Sequence, residues 1–471
     1  MVQHREIVDW VDNRLGLTAA VLKPVPEYSL DPLYWLGALM VMAFLIQGIT
    51  GLLILLYYVP TVDQAYVSTL FMIEHVPLGQ LIQTLHLYSA YAMILLAFMH
   101  LLRQYFASVQ KKPRELMWVV GILMGLVVLA FGLTGYLLPW TVVSKSATDV
   151  AVGMLGFLPG QVGASLRFLI AGSGSDASEL TRFFVLHIVA LPAALLVLLG
   201  LKMYMFEVHG AAEPLSGVKD KTRILPWFPE AFLYLVMLSG VFVGLLLAAS
   251  VLFPLSLPPK FTPQTAASYT PQPDWYFLWV YQILKFSAFE GSGVIYALTL
   301  IPLILVVVLM LPFYDRGKAR RISQRPTYVT IGMIAVAELV VLTVWGYMTP
   351  GQVIPDSQAI MIIAGTALIV SVFAWAFYRT RTGSFFKPAA NGSRVKSIAA
   401  LDRFPMLTAL FSLFLAVACV TVPSSIRLLA SPGSHGLLLA SESILSALSL
   451  YLMSRILKSL VVIHSVEVGL P

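Results

Sequence analysis

Of the 471 residues, 59% are hydrophobic and only 11% are charged, against about 25% charged in an ordinary soluble domain. Apolar runs of roughly 20 residues, enough to cross about 30 Å of hydrocarbon, recur along nearly the whole chain and exclude a soluble globular protein. The net charge of +7 needs no nucleic-acid partner, because basic loops on one side of a membrane give the same total. Cys419 is the only cysteine, which excludes disulfides, iron–sulfur ligation and thiolate zinc sites within the chain.

Residues 1–30 lack the long apolar core of a cleavable signal peptide. Ile7, Val8, Val11, Leu15 and Leu22 are spread among charged residues, which predicts a short amphipathic helix over 3–22 lying at the cytoplasmic interface. Ten spans are predicted next, at 33–58, 81–106, 116–139, 183–206, 231–253, 293–313, 328–349, 357–378, 405–424 and 437–460. With this count, 24 of the 30 Lys and Arg residues fall on the side of the N-terminus and six on the other. By the positive-inside tendency both termini are cytoplasmic, in a cell membrane. Two long outer segments stand out, 140–182 rich in Gly and Ser and 254–291 rich in Pro and aromatic residues. Segments of that length commonly carry function or bind partners.

Ionisable residues inside spans are costly and ask for an explanation. The second span carries His86 near its outer end and His100 near its inner end. Fourteen residues give a rise of roughly 21 Å and about 1400° of rotation, nearly back to the same face. A lone intramembrane His is more often a packed polar residue, but two on one face at two depths suit two stacked haems. The fourth span offers His187 at the depth of His86 and, fifteen residues on, Lys202 at the depth of His100. His209 lies roughly 33 Å along the helix from His187, too far to complete a symmetric pair.

These stretches resemble the haem-bearing helices of the cytochrome b family: Leu85-His86 through His100, Arg182 to His187, and His209-Gly210-Ala211-Ala212-Glu213-Pro214. Leu45-Ile46-Gln47 with Thr50-Gly51 is similar to the family's first helix. Pro113-Arg114 before Trp118, and Gly135-Tyr136-Leu137-Leu138-Pro139-Trp140, are similar to its third. Pro273-Asp274-Trp275-Tyr276, followed by Tyr281, resembles the outer quinol-site signature, where Pro-Glu-Trp-Tyr is commoner. The resemblance covers residues 1–380. It implies an all-α, polytopic transmembrane bundle of about ten spans, with a haem-binding four-helix bundle in its N-terminal half. The domains expected are a cytoplasmic interfacial segment (1–30), a di-haem bundle (31–215), a C-terminal cytochrome b-like domain bearing the quinol loop (216–380) and two additional helices (381–471).

The resemblance implies two haems, of b or a type, with His86, His187, His100 and Lys202 as metal ligands and Arg103 and Arg114 as further cofactor contacts. Gly37 and Gly51, like Gly121 and Gly135, are fourteen residues apart. Gly37, Gly51 and Gly135 are expected to let a porphyrin approach the backbone; close helix–helix packing is the plainer account of such glycines. Lys202 stands where the family's fourth axial histidine is expected. Three readings compete: neutral lysine ligates iron, the inner haem is five-coordinate or absent, or Lys202 snorkels to the headgroups. Gln83 replaces a basic residue often found three before the first ligand, and Tyr234 falls near an acidic residue of the relatives' inner quinone site.

The expected reaction is oxidation of a lipid quinol at the outer face. One electron goes to a Rieske-type iron–sulfur protein and the other through the two haems across the membrane. Asp274 is the candidate proton acceptor, with Tyr281 as its hydrogen-bonding neighbour and Trp275 and Tyr276 shaping the pocket; Asp274 also suits a helix cap. The partners expected are other respiratory subunits, lipid quinone and membrane lipids, with no nucleic acid. Three alternatives stand beside this: a haem A-type subunit of a terminal quinol oxidase, a secondary transporter with a histidine relay and helix breaks at Pro192 and Pro302, and an anchor without redox function.

Overall fold

The computed structural model describes residues 10–14, 16, 23–158, 160–215 and 222–382. Among them, eight helices are long and apolar enough to cross a membrane: α1 (Leu36–Leu55), α2 (Gly79–Phe106), α3 (Glu115–Leu137), α4 (Asp176–His209), α5 (Trp227–Leu252), α6 (Gly291–Leu309), α7 (Pro326–Met348) and α8 (Asp356–Arg379). These are the first eight expected spans, and the chain is a multi-pass, all-α membrane protein. The last two, at 405–424 and 437–460, lie outside the described residues. Of the expected interfacial helix over 3–22, residues 10–14 and 16 are described, and 10–14 are helical.

Helix α4 starts seven residues, about two turns, before the expected position. Its start is built from polar residues that no hydropathy reading favours. The Ser175 side chain accepts the N–H of Ser178, and Asp176 and Glu179 occupy the first turn, where the helix dipole favours negative charge. The Gly- and Ser-rich segment before it is also ordered into helices, Val142–Met154 and Gln161–Ala171. Buried Lys145 ties these elements together, paired with Asp149 and held 3.1 Å from Asp176 and 3.2 Å from Glu179.

The first four helices form the bundle that matters for function. Helix α1 packs along α2, and α3 along α4, whereas α2 and α4 are not packed against one another along their length. Ala43, Met93, Ile94, Val128 and Leu195 fill the bundle's mid-depth. Inside α4, Leu186–Ala190 forms a π turn, in which the N–H of Leu191 reaches back to the carbonyl of Leu186. Pro192 is its local cause: it has no N–H for the carbonyl of Ile188, and its ring crowds that carbonyl. The helix nevertheless continues unbroken to His209, and Pro302 sits inside the continuous helix Val294–Leu309. The breaks expected of a transporter are not formed at either proline.

On the inner side, β1 (Pro24–Pro26) pairs antiparallel with β2 (Ile224–Pro226), Val25 opposite Leu225. Nearby, buried Asp315 pairs with Lys111 at 2.9 Å and with Arg325, joining the α2–α3 loop to the α6–α7 loop. At the outer side, the Pro- and aromatic-rich segment folds down as a one-turn helix, Trp275–Phe277, running into Leu278–Leu284.

Candidate functional site

The structure brings His86 and His187 together near the outer ends of α2 and α4, their ring centroids 6.5 Å apart and their planes inclined at 67°. The Thr50 hydroxyl donates to the Ile46 carbonyl at 2.6 Å, one turn back. Its oxygen lies 2.8 Å from Nδ1 of His86 and accepts the proton there. Thr134 repeats the arrangement on α3, donating to Ala130 at 2.8 Å and lying 3.1 Å from Nδ1 of His187. With both hydroxyl protons engaged by those carbonyls, this geometry favours the tautomer with the proton on Nδ1 and Nε2 bare for a metal.

Each threonine is followed by a glycine that faces the same imidazole. A Cβ on Gly51 would lie 3.3 Å from Cε1 of His86, and one on Gly135 only 2.6 Å from Cε1 of His187. The inner level follows the same plan with different chemistry. A Cβ on Gly37 would stand 3.8 Å from Cε1 of His100, and one on Gly121 would stand 2.6 Å from Nζ of Lys202. The residues before these two glycines are Leu36 and Val120, so no hydroxyl is available to anchor His100. Its Nδ1 is buried without a partner, and its Nε2 accepts from the Gln104 amide at 3.0 Å.

The donor set fits the haems that the resemblance implies. Two imidazoles sharing an iron need ring centres roughly 6 Å apart, since a metal–imidazole bond is about 2 Å; the outer pair stands at 6.5 Å. Among the described residues no three His, Cys, Asp or Glu side chains gather as a metal site. A bare ion would find two protein ligands at this level, whereas a porphyrin brings four nitrogens of its own.

Arg103 and Arg114 both lie toward the inner end. The Arg103 guanidinium is buried, 3.9 Å above the ring of Tyr34. Arg114 donates to the carbonyls of His209 (2.9 Å) and Ala211 (3.4 Å), and its Nε is buried without a partner. Oε1 of Gln83 is likewise buried and unpartnered. Tyr234 packs edge-on against Trp35, with ring centroids 5.9 Å apart.

Asp274 caps the one-turn helix, its Oδ1 accepting the N–H of Trp275 at 2.9 Å. Its Oδ2 accepts from the hydroxyl of Tyr91 on α2 at 2.7 Å. Burial pushes its carboxyl above the ordinary range, against the opposing pull of these two hydrogen bonds. Tyr91, Trp275 and Tyr276 form an aromatic cluster with centroids 5.5–6.4 Å apart. The Tyr276 hydroxyl nests at Gly132, where a Cβ would approach it to 2.9 Å. One expectation is corrected. Tyr281 does not contact Asp274; its hydroxyl accepts the N–H of Gly351 at 2.8 Å, because the helix Leu278–Leu284 turns that face toward the end of α7. Tyr91 takes the expected role.

The sequence pattern pointed to no role for Tyr91, Thr50, Thr134 or Gly132, although a repeat was there to find: Gly48-Ile49-Thr50-Gly51 and Gly132-Leu133-Thr134-Gly135. Nor did it point to Glu338, in the middle of α7, whose two carboxyl oxygens are buried without partners. A lone acid at the centre of a span was the available signal.

Residues 91–259 match the family described as Cytochrome b(N-terminal)/b6/petB, and residues 264–373 match Cytochrome b(C-terminal)/b6/petD. The cytochrome bc complex cytochrome b subunit of Chlorobaculum thiosulfatiphilum is 36% identical over 347 residues, covering 72% of this chain and 80% of that protein. Cytochrome b of Sulfolobus acidocaldarius is 31% identical over 422 residues, covering 83% and 74% respectively. The menaquinol:cytochrome c reductase cytochrome b subunit of Bacillus subtilis is 36% identical over 223 residues, 45% of this chain and 99% of its own length. A solved chain from a hyperthermophilic respiratory Complex III superposes with a TM-score of 0.63 at 25% identity, covering 79% of this chain and 97% of that one.

Proposed function

The chain belongs to the cytochrome b family, and we propose that it is the haem-bearing membrane subunit of a bc-type complex that oxidises quinol at the outer face. The observation that carries this reading is the repeated Thr–Gly–His unit: two half-buried imidazoles, each fixed through Nδ1 by a threonine and each facing a glycine. We propose two haems of the b type, the outer between His86 and His187 and the inner on His100. Bound there, haem supplies the one-electron chemistry that no side chain of this chain can provide. Arg103 and Arg114 supply counter-charge for the carboxylates of the inner group.

The chain's own residues handle the substrate and its protons. A quinol gives up two protons with its two electrons, so a site closed to water needs an acceptor close to the ring. Asp274 has that part, held by Tyr91, while Trp275 and Tyr276 wall the pocket and Tyr281 braces it against the end of α7. Tyr91 lies five residues from His86 on α2, a rise of roughly 7.5 Å. The pocket therefore adjoins the outer imidazole pair. The second electron of each quinol needs an acceptor in a partner, for which an iron–sulfur protein of Rieske type fits; further respiratory subunits complete the assembly. The division into 1–30, 31–215, 216–380 and 381–471, with the basic side in the cytoplasm, completes the proposed organisation.

Family membership removes the transporter reading, and the three retained histidines speak against an anchor without redox function. Pyridine haemochrome analysis of the purified complex, followed by reduction with a quinol, tests what remains. Two b-type haems per chain, reduced by quinol, are expected. One haem or none per chain, or a-type absorption, would overturn the assignment.

A further inference from the structure

The fifteen residues from His187 to Lys202 do not match the fourteen from His86 to His100. At about 100° per residue, one extra residue in a regular helix would turn Lys202 away from the face that carries His187. The π turn at Leu186–Ala190 removes this mismatch, because it takes up one residue without adding a full step of the helix. Beyond it, Lys202 has the phase that a fourteenth residue would have in α2.

The side chain then points inward. Its Nζ lies where a Cβ on Gly121 would approach to 2.6 Å, six residues into α3 and so roughly 9 Å from the start of that helix. A lysine serving the headgroups would extend toward the helix end and into water. Among the described residues its Nζ is in no hydrogen bond and no ion pair. A charged amine left in this way inside a span is expensive. Across the bundle, Nδ1 of His100 is buried without a partner, and its Nε2 meets the side-chain amide of Gln104 one turn on, a contact that an iron bond would replace. Gly37 and Gly121 leave the slot between α1–α2 and α3–α4 clear at this depth, as Gly51 and Gly135 do at the outer level.

We infer that Lys202 is the second axial ligand of the inner haem, opposite His100; the inference rests on the two-haem reading proposed above. The bond uses the lone pair of the neutral amine. One proton therefore passes from Nζ to bulk water before the bond forms, and no change of oxidation state accompanies it. Arginine cannot substitute, since its guanidinium stays protonated.

The test is electron paramagnetic resonance and near-infrared magnetic circular dichroism of the oxidised, intact complex. The unmodified protein should give two distinct low-spin ferric signals, one of bis-histidine and one of histidine–amine type. Lys202→Ala should lose the second low-spin signal and gain a high-spin one, leaving the outer signal unchanged. Added imidazole should restore a low-spin inner site by filling the vacated space. Two bis-histidine-type signals, or a high-spin inner haem in the unmodified complex, would overturn the inference while leaving the two-haem reading standing. So would Lys202→Arg with both low-spin signals intact. A complex with one haem or none per chain would overturn the two-haem reading itself.

Discussion

The outer and inner levels of the four-helix bundle are built on one backbone plan and differ in the residue ahead of each glycine. Thr50 and Thr134 precede the outer glycines, while Leu36 and Val120 precede the inner ones. The outer imidazoles are therefore anchored through Nδ1, whereas His100 has an orphaned Nδ1 and faces an amine. A single position per helix thus decides whether an imidazole is held through Nδ1 by a neighbouring helix or, as in His100, only through Nε2 by Gln104 of its own helix. Ligand geometry at the outer level is over-determined. At the inner level it depends on the glycine gap and on the π turn of α4.

The strongest way to break the comparison is to delete an outer ligand. His86→Ala or His187→Ala should remove the outer haem and abolish quinol oxidation, since the two rings form one pair 6.5 Å apart. Haem stoichiometry and quinol-dependent turnover check this. Two haems per chain with normal turnover in either variant would end the assignment.

Asp274→Asn comes next. The amide keeps the cap on Trp275 but cannot take a proton, so turnover should fall roughly 10²-fold, the low end for loss of a general base, while haem content stays normal. The pH profile fixes the sign. Burial raises the Asp274 carboxyl above its ordinary range, and only the carboxylate accepts a proton. Turnover of the unmodified protein should therefore be full above that raised value and fall as pH drops through it. The variant should be slow and lack this acid limb. Equal turnover across the pH range would leave Asp274 as a cap alone.

Much of the outer level was legible in the sequence because its chemistry is rare in a span. His86, His100 and His187 stand out among apolar residues, and fourteen-residue spacing converts directly into depth. The threonines were not legible, since a hydroxyl in a membrane helix usually bonds the carbonyl one turn back and does nothing more; Thr50 does that and also receives His86. The partner of Asp274 was misjudged for another reason. Tyr281 is close in sequence, whereas Tyr91 lies 183 residues away and meets Asp274 only because the quinol loop folds down onto α2. The π turn was hidden because Pro192 signals a disturbance without specifying its form.

Alanine at the glycines sharpens the comparison by degrees. Gly135→Ala puts a methyl 2.6 Å from His187 and within 3.2 Å of both its ring nitrogens, so the ring must move; Gly51→Ala meets His86 at 3.3 Å, and Gly37→Ala meets His100 at an ordinary 3.8 Å. Before any haem is counted, the displacement of the ligand rings should follow that order. Haem occupancy at the outer level should fall most in Gly135→Ala and partly in Gly51→Ala. Equal losses in all three would mean that the porphyrin, and not the imidazole, sets the clearance.

The smallest effect expected is at the threonines. Thr50→Val or Thr134→Val keeps the shape of the side chain but removes the acceptor at Nδ1, making the outer level resemble the inner one. An imidazole whose Nδ1–H is hydrogen-bonded is a more basic ligand and favours the oxidised metal. Its loss should raise the midpoint potential of the outer haem. A hydrogen bond worth about 1 kcal/mol corresponds to roughly 40 mV for one electron. Redox titration should show that upward shift in the outer haem alone, with both haems retained, because the rings are still caged by their helices. If the inner haem shifts equally, the threonines act through the packing of the whole bundle. If nothing shifts, the Nδ1 contacts at 2.8 and 3.1 Å orient the rings without tuning them.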